Sequence, residues 1–254
     1  MLIVSLIATL SYACATWLLQ CDSGRRMVVV ASMLLAALAH ALAVVAVFQG
    51  WMHNVSVTNM LSLVSLGMAL LGTVRYLFCR DRIAYPVVAL MAAVCVWAPI
   101  GVSLPATLAE GWALKTHIVL SIAAYMSLAF AALYALFLLL QDYRLRRGRD
   151  GFHLSVSLND LSLSMIGFTR LGEGLLTLSL VTGAFFIHDI WAQRVGHKLF
   201  FGVIAWTIIG IVLLLHKLQG FRGRLAALWV LGGFLCLVLA YFGSAFVLQI
   251  LLHE

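Results

Sequence analysis

His40, His53, His117, His153, His188, His197, His216 and His253 are the residues through which this sequence could do chemistry. Neutral imidazole binds metal ions through either ring nitrogen and serves as an axial ligand to haem iron. His188 and His197 bracket Trp191 in the stretch FIHDIWAQRVGHK. Their spacing is not the i, i+4 of helical zinc ligands, and Asp189 is the nearby carboxylate, so a closed zinc site is not expected there. His40 lies deep in an apolar run, where a polar group is costly and meets a partner or a cofactor. It reads either as an interhelical hydrogen bond or as a ligand to haem or substrate. His117 is followed by Ser121 and Tyr125 at i+4 and i+8 on one helical face, which makes it either the head of a lined pocket or an anchor at the water interface. His216, beside Lys217, closes an apolar run and reads by itself as an interface residue. His53, His153 and His253 fall in polar segments or at the terminus and read as solvated. No serine–histidine–acid order, paired carboxylates or glycine-rich phosphate loop stands out, so an enzyme is not expected. Glu173 reads as paired with Arg170 or snorkelling to the surface.

The elements that must hold these histidines are membrane helices. Of 254 residues, 64% are hydrophobic and 10% charged, with a mean hydropathy of +1.09, against roughly a quarter charged in soluble domains. Apolar runs long enough to span fall at 2–20, 27–50, 57–79, 83–104, 113–140, 171–188, 198–217 and 225–252. The expectation is an all-α polytopic membrane helix bundle of eight transmembrane helices, forming a single transmembrane domain over 1–254. The first run has no basic residue ahead of it and reads as a span, not as a cleaved signal. Segment 141–170 reads as a cytoplasmic loop with an interfacial amphipathic helix, because Leu158, Leu161, Met165 and Phe168 recur at helical spacing opposite Asn159, Asp160, Ser162 and Ser164.

Placing the connecting segments alternately on two sides puts 13 of the 16 Lys and Arg residues on one of them. Positive charge resists translocation, so that side is expected to be cytoplasmic and both termini periplasmic. The net charge of +7 is then an orientation signal, and no nucleic-acid partner is expected. Cys14, Cys21, Cys79, Cys95 and Cys236 form no C-x-x-C or C-x-x-C-H, so the chain is neither thioredoxin-like nor itself a c-type cytochrome.

The segments LNDLSLSMIGFTRLGEGLLTLSLVTGAFF, WTIIGIVLLLHKLQGFRGR and LAYFGSAFVLQILLHE resemble, in order and spacing, the cytochrome c assembly membrane proteins of the CcsA/CcmC/HemX type. THIVLSIAAYMSLAFAALYALFLL is similar to the histidine-bearing helix that precedes them in that group, and LAHALAV extends the likeness to His40. The likeness is greatest to the YpjD subgroup of bacterial inner-membrane proteins. It implies an inner-membrane location and haem b as cofactor, with histidines as axial ligands and a tryptophan-rich outer motif at the haem edge. By matching motif, His117 takes the place of the histidine before the tryptophan-rich segment. His216 takes that of the histidine before a Gly-Trp-Arg-Gly-like turn, here Gly220-Phe221-Arg222-Gly223. The stretch 186–198 stands where the tryptophan-rich motif belongs and keeps Trp191 alone.

Within that resemblance, depth favours one ligand pair. At 1.5 Å per residue His40 is ~20 Å from the start of its span and His117 ~6 Å from the start of its own, so in a core ~30 Å thick they share a level. The expected pair is His40 with His117, with Lys115 or Arg194 near the propionates; His188, His197 and Trp191 come second, and His216 serves a second site or a structural role. Two other functions stay open: a haem-free scaffold or regulatory subunit that binds another membrane protein, and a small-solute transporter lined by His117, Ser121 and Tyr125. The transporter lacks Gly/Pro-broken spans, since Pro86, Pro99 and Pro105 all fall in or beside the fourth run.

Overall fold

A computed structural model describes residues 2–21, 26–48, 56–101, 111–147, 156–185 and 196–240. All regular structure among them is helical: α1 (Leu2–Gln20), α2 (Arg26–Phe48), α3 (Val57–Cys79), α4 (Ala84–Cys95), the short α5 (Ala98–Gly101), α6 (Trp112–Arg146), α7 (Leu158–Ala184), α8 (Gly196–Gln219) and α9 (Arg224–Val238). Five of these are long and apolar enough to cross a membrane: α1, α2, α3, α6 and α8. Large apolar side chains such as Leu2, Ile3, Trp17, Met27, Leu38 and Phe78 point outward, as lipid-facing surfaces require. The protein is a multi-pass membrane protein.

Contacts group the chain into two compact units, Met1–Glu110 and Gly111–Glu254. In the first, α1 packs on α2 and α4, and α3 packs on α2 and α4, so four helices close a ring. Alanines Ala8, Ala15, Ala36 and Ala92 are fully buried in it, because small side chains let helices approach closely where no hydrophobic drive separates helix from lipid. In the second unit α6 packs on α7 and α9, and α8 packs on α7 and α9, again a ring of four.

Local chemistry sets the helix ends. Ser56 caps α3 by accepting the Asn59 N–H, and Ser157 caps α7 by accepting the Asp160 N–H. After α3, Arg80 adopts φ 54 and Asp81 receives the Ile83 N–H at 3.1 Å, which starts α4. The expected run 83–104 is divided at Val96–Trp97 into α4 and α5. Pro99 lacks the N–H that would bond back four residues, and its ring opposes the Cys95 carbonyl.

The stretch read as an interfacial helix is placed differently. Residues 158–168 are the first turns of α7, which continues unbroken to Ala184. Leu161 and Met165 are fully buried, and Phe168 stacks on Tyr134 and Phe130 of α6 with ring centroids 5.8 Å and 5.0 Å apart. The apolar stripe was legible, but its partner is the end of α6, not lipid.

Candidate functional site

The seam between α6 and α7 runs antiparallel and is polar at one end. His117 Nδ1 lies 3.2 Å from Thr182 Oγ1, Ser121 Oγ lies 2.7 Å from Ser179 Oγ, and Ser121 also donates to the His117 carbonyl at 2.8 Å. Further along, Leu128 packs on Gly172. Gly183 makes room for the imidazole: a Cβ there would come 2.8 Å from His117 Cε1. Tyr125, the third residue of the expected stripe, donates its hydroxyl to the Leu237 carbonyl of α9 at 2.8 Å. His117, Ser121 and Tyr125 therefore do share one face, and each is engaged by another helix of the unit.

Thr182 fixes how the His117 ring is presented. Its hydroxyl is 2.9 Å from the Leu178 carbonyl and 3.0 Å from the Ser179 carbonyl, and a carbonyl can only accept. The same hydroxyl meets His117 Nδ1, so the contact holds the imidazole against α7.

His40 is placed otherwise. It is completely buried in the first unit, with Nδ1 3.1 Å from the Tyr12 hydroxyl and Nε2 3.0 Å from Ser62 Oγ. Both ring nitrogens bond to hydroxyls, and the imidazole ties α1, α2 and α3 together. His40 and His117 fall in different units. His216 Nδ1 donates to the Phe221 carbonyl at 2.9 Å, closing the turn of the Gly220-Phe221-Arg222-Gly223 motif. His188, Trp191, Arg194, His53, His153 and His253 lie outside the described residues, as does the side chain of His197. The backbone of His197 can be placed: α7 and α8 are antiparallel, with Leu180 near Gly202 and Thr177 bonded to Trp206, which sets the first turn of α8 at the same end of the unit as His117. Lys115 also stands at that end, its Nζ 5.9 Å from the Trp112 ring. No group of three or more His, Cys, Asp or Glu suited to a metal ion occurs among the described residues.

Thr182, Gly183, Tyr12 and Ser62 were not singled out by the sequence. The signal for the first two was present in LSLVTGA, where a hydroxyl and a glycine adjoin near the end of an apolar run.

Two groups of apolar helices, each with a histidine hydrogen-bonded to a neighbouring helix, define a helical multi-pass membrane protein. The chain belongs to the cytochrome c assembly protein family, whose sequence model matches residues 2–252. Inner membrane protein YpjD of Escherichia coli K12 is 32% identical over 244 residues, covering 92% of this chain and 91% of that protein. An uncharacterized 28.8 kDa protein in the nifR3-like 5′ region of Azospirillum brasilense is 32% identical over 156 residues, covering 57% of this chain and 55% of that one. No solved structure matches the chain.

Proposed function

We propose that this protein binds or hands over haem b in a bacterial inner membrane, as a binding protein and not an enzyme, with His117 as an axial ligand. The observation that carries the reading is the contact between His117 Nδ1 and Thr182 Oγ1, which holds the imidazole in one orientation across the α6–α7 seam. The donor chemistry fits haem: an oriented imidazole, apolar helix faces around it, and Lys115 at the same end to pair with a propionate. When bound, haem supplies a redox-active iron; the chain's part is to hold the ring of His117, exclude water with α6 and α7, and present cationic side chains.

For the partner ligand, His197 stands at the same end of the same unit. The pairing of His117 with His40 requires His40 to release either Tyr12 or Ser62, so His197 is the preferred partner. The test is an absorbance spectrum of the detergent-purified protein produced with ample haem. A Soret band is expected in the wild type, lost in His117→Ala and retained in His40→Ala. No band in the wild type, or an unchanged band in His117→Ala, overturns the reading. A haem-free scaffold that binds another membrane protein is the second reading. It is favoured by the stretch 186–198, which keeps Trp191 alone of the tryptophans that would flank an exposed haem.

A further inference from the structure

Glu173 has no part in the haem site, yet it sits inside the second unit. Its carboxyl turns toward α8, where Gly210 leaves room for it: a Cβ on Gly210 would come 3.3 Å from Oε1. Oε2 is shut off from solvent and has no hydrogen-bond partner among the described residues. The polar groups one turn away are committed elsewhere. Thr177 Oγ1 donates to the backbone carbonyl of Glu173 and accepts the Trp206 Nε1–H, both at 2.8 Å.

Among the described residues no countercharge faces this carboxyl. Between Lys198 and His216, α8 carries no charged residue; between Lys115 and Asp142, α6 carries none beyond the possible charge of His117, ten residues from the level of Glu173; α9 carries none after Arg224. The other titratable groups are Tyr125, whose hydroxyl bonds Leu237, Tyr134, set among Phe130, Phe137 and Phe168, and Cys236. On α7 itself Arg170 is exposed and forms no ion pair with Glu173, so the pairing expected from the sequence does not occur.

At Oε2 a carboxylate would meet neither solvent nor a partner among the described residues that could replace its hydration. A hard metal cation asks for several oxygen ligands, and one carboxyl cannot supply them. The proton is the cation that fits. We infer that Glu173 is a proton-binding site in the α7–α8 seam: the seam closes on the neutral acid, and loss of the proton to water opens it to solvent. No electron moves in this exchange, and it does not depend on haem.

The test uses the full chain in lipid nanodiscs. Infrared spectroscopy at neutral pH is expected to show the C=O stretch of a protonated carboxylic acid, shifted in D2O and missing from Glu173→Gln. Amide hydrogen exchange across residues 171–180 is expected to quicken as pH rises in the wild type, beyond the intrinsic pH dependence, and not in Glu173→Gln. If Glu173→Gln does not fold, Glu173→Met provides the same subtraction. Absence of the band from the wild type, its persistence in the variants, or the same exchange profile in both proteins overturns the proposal.

Discussion

The contact of Thr182 Oγ1 with Nδ1 orients the His117 ring. Thr182→Val removes the partner of Nδ1 and, on the proposed haem reading, is expected to weaken haem retention by about 10-fold or more, while Thr182→Ser keeps it; haem titration of the purified variants distinguishes the two. Gly183→Ala is expected to act through the same ring, since its methyl would meet Cε1 at 2.8 Å, and a shift in the Soret maximum would register the displaced imidazole. His40 answers to a different test. Tyr12→Phe or Ser62→Ala leaves one buried ring nitrogen without its partner, at a cost of about 1–3 kcal/mol each. Thermal unfolding in detergent should show that loss with the haem spectrum unchanged. That a histidine so deep in an apolar run needs partners was legible from position alone. Which partners was not, because Tyr12 and Ser62 lie 28 and 22 residues away in the chain and only tertiary packing brings them to the ring.

Helix ends show the same division between local and distant causes. Two turns, after α3 and after α8, reverse the chain through one residue in the left-handed region, Arg80 at φ 54 and Gly220 at φ 65. In each the left-handed residue bonds back four positions, Arg80 to the Tyr76 carbonyl at 3.1 Å and Gly220 to the His216 carbonyl at 3.0 Å, the single bond of an αL end. A side chain in that region costs about 1 kcal/mol or more. Gly220→Ala should therefore lower stability by about that amount and Arg80→Gly should raise it by a fraction of it, both read from thermal unfolding of the purified protein. Gly-Phe-Arg-Gly was legible as a turn because glycine marks it; Cys-Arg-Asp-Arg was legible only as a break between apolar runs. Similarly, the stripe of Leu161, Met165 and Phe168 was readable as an apolar helical face, while its fit against Phe130 and Tyr134 depends on residues more than thirty positions earlier. An apolar stripe states that something covers it and does not name the cover.

For the whole molecule, the open quantity is how many helices cross. Five pass on length and apolar composition, and α4 and α9 are shorter apolar helices. α7 is long but carries Arg170 and Glu173, and a central arginine costs about 2.5–3.5 kcal/mol. The α6–α7 seam indicates how α7 can still cross. About 20 residues traverse the hydrocarbon core, so a crossing that begins near Trp112 ends near Ala132. Because Ser121 meets Ser179 and Leu128 meets Gly172, that boundary falls near Phe168 on α7. Arg170 then stands within a turn of the basic side, with Arg144, Arg146 and Arg147 beyond it, and can snorkel out; Glu173 lies just deeper, where it cannot. If α7, α8 and α9 all cross, the segment after α6 and the carboxyl end of the chain are on opposite sides. Alkaline phosphatase fused after Asp150 should be inactive and fused after Glu254 active, with green fluorescent protein giving the reverse. Both fusions reporting the same side would mean that an odd number of the three helices does not cross; a further fusion between α7 and α8 then shows whether α7, and Glu173 with it, is in the membrane.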